Sequence, residues 1–217
     1  IMDEYYQFLE IGKIKSIGFD LDGTLYSLTD EMNDRVRNKV SEKILEKKPK
    51  LTSVIRAREF FEEQYQLLHS ATRVIKSVGY ENPGQVMNRC LGEAEILDLM
   101  HPNPELARNM EELSGRYETY ILSNGPKKLA LKKLERIGIN PLFFDFCIFN
   151  GSFPGITKDD GTGFDKALEL SKYPAENHLY IGDREKLDMV PAKERGMQSI
   201  IVKDKDSRRF SFSRLLE

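Results

Sequence analysis

From residue 101 onward, short apolar runs alternate with amphipathic stretches, and this rhythm leaves few folds open to the chain. Strands that alternate with helices must lie parallel, because each helix carries the chain back to the same edge of the sheet. The helices then cover both faces. The predicted strands are residues 117–122, 144–149, 178–181 and 199–202, and one more, residues 13–19, stands apart near the start. The predicted helices between them are residues 105–113, 127–137 and 164–170, with a short fourth ended by Gly196. Pro191 lies in the first turn of that last helix, where a missing N–H costs little. The expected fold class is α/β, a Rossmann-like parallel sheet with helices on both faces.

The stretch between the first strand and the rest has a different character. Asp30 is positioned to cap a helix that carries Met32, Val36, Val40 and Ile44 and stops before Pro49. Thr52 is positioned to cap a second, whose apolar residues are Val54, Ile55, Phe60, Phe61, Tyr65 and Leu68. Residues 71–78 and 85–91 read as shorter helices, separated by Gly79 and by Asn82-Pro83-Gly84. The expected organisation is an α/β core domain of residues 1–29 and 101–217 with an inserted all-α domain of residues 30–100. A chain of 217 residues is long enough for that.

Composition narrows the function classes. The net charge is −2 with both signs interspersed, which gives no footprint for nucleic acid. No apolar run approaches the roughly 20 residues of a membrane span. The opening residues have no basic segment followed by an apolar core, so the expected location is cytoplasmic. Cys90 and Cys147 form no framework or metal spacing and are expected to be reduced thiols among apolar neighbours. Nothing in the sequence specifies an oligomeric state.

Ligands of open parallel sheets bind outside the carboxyl ends of the strands. The polar residues that follow each apolar run are therefore the candidates. The first run ends in Asp20 and Asp22, the second in Ser123-Asn124-Gly125 and the fourth in Gly182-Asp183, while Lys158 follows the third in a Gly-containing loop. Asp20 and Asp22 are one residue apart, which puts both side chains on one side of an extended chain. Carboxylates that crowd together need a cation or a shared proton. With Asp183 they form an all-oxygen set that suits Mg²⁺, which would take a phosphate oxygen as a further ligand. Lys158 would add positive charge and Ser123 a donor, as phosphoryl transfer requires, and Gly23 lets the backbone approach an anion.

Taken together, these residues resemble the haloacid dehalogenase superfamily of phosphatases. Asp20-Leu21-Asp22-Gly23-Thr24-Leu25 is similar to its first motif and Ile121-Leu122-Ser123-Asn124-Gly125 to its second. Lys158, with Phe164, Ala167 and Leu168 at the expected spacing, is similar to the third. Tyr180-Ile181-Gly182-Asp183, followed by Asp188, Ala192-Lys193 and Gly196-Met197, is similar to the fourth. The chain departs from the pattern at Asp159, where many relatives have proline. The resemblance implies that Asp20 is the nucleophile and forms an aspartyl-phosphate. It implies that Asp22 is the general acid and then the base. Ser123 and Lys158 would bind the phosphoryl group, with Gly23, Thr24 and Asn124 beside it. Asp20, Asp183 and the backbone carbonyl of Asp22 would hold Mg²⁺, with Asp188 close by as a further carboxylate. The inserted helical block occupies the place of the family's alpha-helical cap.

Asp22 bears on the chemistry, since alkoxide leaving groups need a proton donor and halide does not. The expected activity is Mg-dependent hydrolysis of a small-molecule phosphate monoester. A phosphomutase acting on a sugar phosphate would use the same residues but exclude water, and a non-catalytic binding protein on the same fold is a third reading. Arg56, Arg58, His69, Arg73, Lys76 and Arg89 lie in the helical block. Each either binds a second anionic group of the substrate or is the wet face of an amphipathic helix. Arg184, directly after Asp183, points either to solvent or to substrate.

Overall fold

The computed structural model describes residues 9–202 and 213–216. The opening residues considered above for a signal sequence lie outside them. The chain divides into two compact units, Ile1–Leu28 with His101–Glu217, and Thr29–Met100.

The first unit is built on five parallel strands, β1 (Ser16–Phe19), β2 (Glu118–Pro126), β3 (Phe146–Asn150), β4 (His178–Gly182) and β5 (Gln198–Ile201). Their order across the sheet is β3-β2-β1-β4-β5. The chain therefore moves outward on one side of β1 and then reverses to the other, and such a reversal opens a crevice at the carboxyl ends of the central strands. The register brings those ends level, with Phe19 opposite both Ile121 and Ile181. In β1, Ser16, Ile17, Gly18 and Phe19 are all buried, which marks a strand covered on both faces. Gly18 is required there by packing, since a Cβ would fall 2.2 Å from the Tyr120 ring. Tyr120, Leu122, Ile148 and Tyr180 pack with Phe164, Ala167, Ala192 and Met197 into one core cluster.

The helices of this unit follow the expected rhythm. Among the described residues they are α5 (Pro104–Ser114), α6 (Lys127–Ile137), α7 (Thr162–Leu170), α8 (Val190–Glu194) and a further short α9 (Ser213–Leu216), numbered on from the four helices of the second unit. Gly138 ends α6 in the left-handed conformation, with φ +83°. Two differences from expectation bear on the site. Strand β2 runs on through Ser123, Asn124 and Gly125 to Pro126, with a register shift after Ser123. A π-helical turn, Glu185–Met189, precedes α8. Its i→i+5 spacing leaves no hydrophobic period to read in a sequence.

The second unit is helical: α1 (Asp30–Lys47), α2 (Val54–Leu68), α3 (Ala71–Ser77) and α4 (Pro83–Glu93), with a 3₁₀ turn at Ile96–Leu99. Its own core gathers Val40, Ile44, Ala57, Phe61, Val74, Ile75, Val78 and Cys90. The caps fall one residue from those expected. Thr29, not Asp30, accepts from the Met32 N–H at the start of α1. Ser53, not Thr52, accepts from the Arg56 N–H at the start of α2, because Thr52 has turned into the left-handed region with φ 61°. Pro83 opens α4 rather than separating it from α3, as the first-turn tolerance for proline allows. Cys90 is buried and Cys147 half-buried, and neither is in a disulfide. No described helix is long and apolar enough to cross a membrane.

Candidate active site

Asp20 follows the last residue of β1 and its N–H donates to the Ile181 carbonyl, which seats it between β1 and β4. It is 2% exposed. Lys158, from the loop between β3 and α7, has no exposed side-chain surface and places its ammonium 2.8 Å from Asp20 Oδ1. The same ammonium pairs with Asp188, which is also fully buried. Burial pushes the Asp20 carboxyl up, Lys158 opposes this, and the nearby Asp188 adds to the rise. For Lys158 the desolvation works against its charge, but Asp20 and Asp188 outweigh it and hold the ammonium protonated. A buried triad of this kind recovers little net stability, because desolving three charges offsets most of their attraction. Its presence therefore points to chemistry.

Asp183 follows β4. Burial and the Asp20 charge push its carboxyl up to about 7. Gly23 makes room for it, since a Cβ at that residue, with φ +80°, would fall 2.5 Å from Asp183 Oδ2. Asp188 is fixed by the π-helical turn, where its Oδ2 accepts from the Arg184 N–H at 2.8 Å. One oxygen each of Asp20, Asp183 and Asp188 lie within 4.8 Å of one another. Asp20 Oδ2 and Asp183 Oδ1 are buried with no hydrogen-bond partner among the described residues. Hard oxygen donors, an excess of negative charge and orphaned acceptors fit a divalent cation.

The Asp22 carboxylate does not belong to that group. Its Oδ1 lies 2.5 Å from the Lys133 ammonium and also accepts from the Tyr26 hydroxyl. Burial alone would raise this carboxyl, but Lys133 and the hydrogen bonds from Lys133 and Tyr26 outweigh it and hold it below its ordinary value. The Asp22 side chain thus stands outside the cluster of Asp20, Asp183 and Asp188, with its Oδ1 taken up by two donors.

Ser123 is 3% exposed, and its Oγ accepts from the Gly125 N–H at 3.1 Å. Its own hydrogen is left to donate. Thr24 Oγ1 is buried without a partner. Asn124 is engaged elsewhere. Its Oδ1 accepts from the Lys158 N–H at 3.0 Å and its Nδ2 donates to Asp159 Oδ1 at 2.8 Å, so it fastens the loop that carries Lys158. Asp159 explains the departure from proline. Its N–H donates to Thr157 Oγ1 at 2.8 Å, a bond that proline has no donor to make. Arg184 is half exposed, with Nε 3.6 Å from Asp183 Oδ1. In the helical unit, Arg58 is held by Asp34, Asn38 and Glu62. Arg56, His69, Arg73, Lys76 and Arg89 are exposed. Sequence reasoning missed Lys133 and Tyr26. Lys133 falls in the buried stripe Ala130, Lys133, Leu134 and Ile137 of α6, which only the placed helix shows.

The family model that matches residues 14–196 is that of the haloacid dehalogenase-like hydrolases. The chain belongs to that family. Among curated relatives, a glyceraldehyde 3-phosphate phosphatase of Methanocaldococcus jannaschii is 27% identical over 87% of this chain and 85% of its own length. The crystal structure of a HAD phosphatase from Thermococcus onnurineus matches with TM-score 0.62 at 20% identity, covering 88% of this chain and 86% of that one. A 2-haloacid dehalogenase from Pseudomonas syringae matches with TM-score 0.52 at 23% identity, covering 86% of this chain and 85% of that one. These structural likenesses establish that the haloacid dehalogenase fold is shared.

Proposed function

We propose that this hydrolase cleaves a small-molecule phosphate monoester, with Mg²⁺, through an aspartyl-phosphate on Asp20. The observation that carries the reading is the state of Asp20. One oxygen is held by Lys158 and the other is buried, unpartnered and ionisable at the reversal point of the sheet. An attacking carboxylate needs that combination of fixed orientation and free lone pairs. Asp20, Asp183, Asp188 and the Asp22 carbonyl would hold Mg²⁺, which supplies charge to stabilise the phosphoryl group in transfer.

Asp20 attacks phosphorus as the ester bond breaks, and Asp22, ionised at rest, takes up the proton of the bound monoanionic ester and passes it to the departing oxygen. Water then attacks the aspartyl-phosphate and loses a proton to Asp22, which restores both carboxyl groups. Lys158 offsets negative charge as Asp20 becomes an acyl phosphate, and the Ser123 hydroxyl donates to a phosphoryl oxygen. Asp22 favours phosphate esters over carbon–halogen bonds, because alkoxides leave poorly without a proton. The Methanocaldococcus relative supports a small phosphorylated substrate.

A panel of phosphate esters tests the reading. Release of phosphate should require Mg²⁺, stop with chelator and return when the ion is restored. In ¹⁸O-water the label should enter the released phosphate. Asp20→Asn should lower turnover by several orders of magnitude, as loss of a nucleophile does. Isomerised sugar phosphate without free phosphate would point to a mutase. Full turnover in chelator, or about a tenth of wild-type activity in Asp20→Asn, would overturn the assignment.

A further inference from the structure

Lys133 occupies a position that a helix normally gives to an apolar side chain. It falls in the buried stripe of α6 and is 3% exposed. Burying an ammonium costs several kcal/mol unless it is paired. Its partner, Asp22, has a side chain 30% exposed, so the pair is sealed on the lysine side and open on the aspartate side. Tyr26, four residues after Asp22, places its hydroxyl on the same carboxylate oxygen. The lysine ammonium also lies over the Tyr26 ring, 5.7 Å from its centre.

Resting on the phosphatase reading above, we propose that Lys133 and Tyr26 are positioning residues that clamp Asp22 by one carboxylate oxygen and turn the other toward the phosphoryl site. A carboxylate oxygen has two lone pairs in its plane. Both lone pairs of Oδ1 are taken, one by Lys133 and one by Tyr26. Oδ2 is therefore the oxygen left to meet the substrate. That oxygen faces the Ser123–Gly125 segment, since a Cβ at Gly125 would lie 3.7 Å from Asp22 Oδ2 and 3.3 Å from Ser123 Oγ. The clamp thus turns Oδ2 toward the segment that carries the phosphoryl donor. In the forward step, Oδ2 takes up the proton of the bound monoanionic ester and passes it to the ester oxygen as the P–O ester bond breaks and the Asp20 O–P bond forms. In the second, Oδ2 takes a proton from water as the water oxygen bonds to phosphorus and the Asp20 O–P bond breaks. Oδ1 exchanges no proton in either step, and the two donors stay in place throughout.

The test uses leaving-group dependence, which a merely structural role would not move. An alkyl phosphate needs a proton for its leaving oxygen, and p-nitrophenyl phosphate needs far less help because nitrophenolate is stable. The quantity read is the ratio of kcat/KM for the alkyl ester to that for the aryl ester. Because kcat/KM reports steps up to phosphoryl transfer and the ratio cancels the folded fraction, partial misfolding cannot imitate the effect. In Lys133→Met the Asp22 carboxyl is no longer held down by the ammonium, yet with its orientation lost the ratio should still fall about 10²-fold, the size of a general-acid contribution. In Tyr26→Phe, which removes one donor and little volume, it should fall about tenfold. In an Asp22→Ala background, adding Lys133→Met should change the alkyl rate by less than about twofold, since residues that act through one group are not additive. A ratio that stays at the wild-type value in Tyr26→Phe and in any folded Lys133→Met would overturn the proposal. So would full additivity with Asp22→Ala. If the wild-type chain hydrolyses neither ester in Mg²⁺, the phosphatase reading itself fails and the clamp falls with it.

Discussion

The site contains two buried lysines, each aimed at an aspartate of the first strand end, and they differ in almost every other respect. Lys158 stands on a loop, has no exposed surface and serves two carboxylates that are themselves sealed. Lys133 stands on a helix and serves a carboxylate that still meets solvent. The first pair fixes a nucleophile that must not move. The second governs a group that must pass protons to and from the outside. Burial on both sides gives rigidity, and burial on one side gives orientation with access. The comparison predicts that loss of either lysine damages catalysis, but only the loss of Lys158 leaves charge stranded in the interior.

The largest effect should follow Lys158→Met. Asp20 and Asp188 would then face each other without a counter-charge. A buried pair deprived of one partner loses about 3–5 kcal/mol, which urea denaturation without added metal would show. Activity should fall on alkyl and aryl esters alike, because the nucleophile and not the leaving group is affected. If Lys133→Met destabilises the fold as much, the distinction between the two lysines is wrong.

Gly23→Ala comes next. The new Cβ would fall 2.5 Å from Asp183 Oδ2, on a backbone with φ +80°. Strain of this kind costs about 1–3 kcal/mol, and displacement of Asp183 should weaken Mg²⁺ binding in calorimetry without substrate. Unchanged affinity would remove Asp183 from the proposed ligands.

The smallest effect lies at the opposite end of the sheet. His178 begins β4, with Nε2 3.1 Å from the Tyr173 carbonyl and Nδ1 3.4 Å from the Tyr120 hydroxyl. Burial pushes its pKa down, only partly opposed by the Tyr173 carbonyl. The unfolded chain then takes up a proton near the ordinary value of 6.5 while the folded chain does not. Stability should therefore be full above that value and fall as pH drops below it toward the folded pKa. In His178→Gln the difference in urea midpoint between neutral and mildly acid pH should shrink. A difference of the same size in the variant would assign the dependence to other groups.

The same contrast explains what was legible beforehand. Asp20 and Asp183 stand just beyond strand ends and Ser123 closes an apolar run within β2, where a polar residue is conspicuous, while Lys158 was legible only from its spacing in the loop after β3. The parallel sheet was legible for the same reason, since its runs are short, β-rich and separated by helical periods. Lys133 was not, because one lysine among the four of α6 looks like a solvated charge until the helix is placed on its neighbours. Asn124 has a task that the motif does not show. Its position in the motif suggests ligand contact, and its amide also ties down the Lys158 loop. The cap of α2 moved from Thr52 to Ser53 through a single left-handed residue, a backbone choice that side-chain pattern does not report.

The place of β1 in the sheet has a consequence for how the molecule assembles. It lies at the centre, yet its partners are far away along the chain. Ser16 and Glu118, for example, are bonded across a separation of 102 residues. Closing a loop of that length is entropically costly, whereas the helices of the intervening segment need only local contacts. The central strand should therefore dock late, after β2, β3 and the helical segment have gained structure. Asp20 and Asp22 travel with it. In a refolding experiment, recovery of catalysis should trail the recovery of helical circular dichroism, because the nucleophile arrives with the last and least local strand pairing.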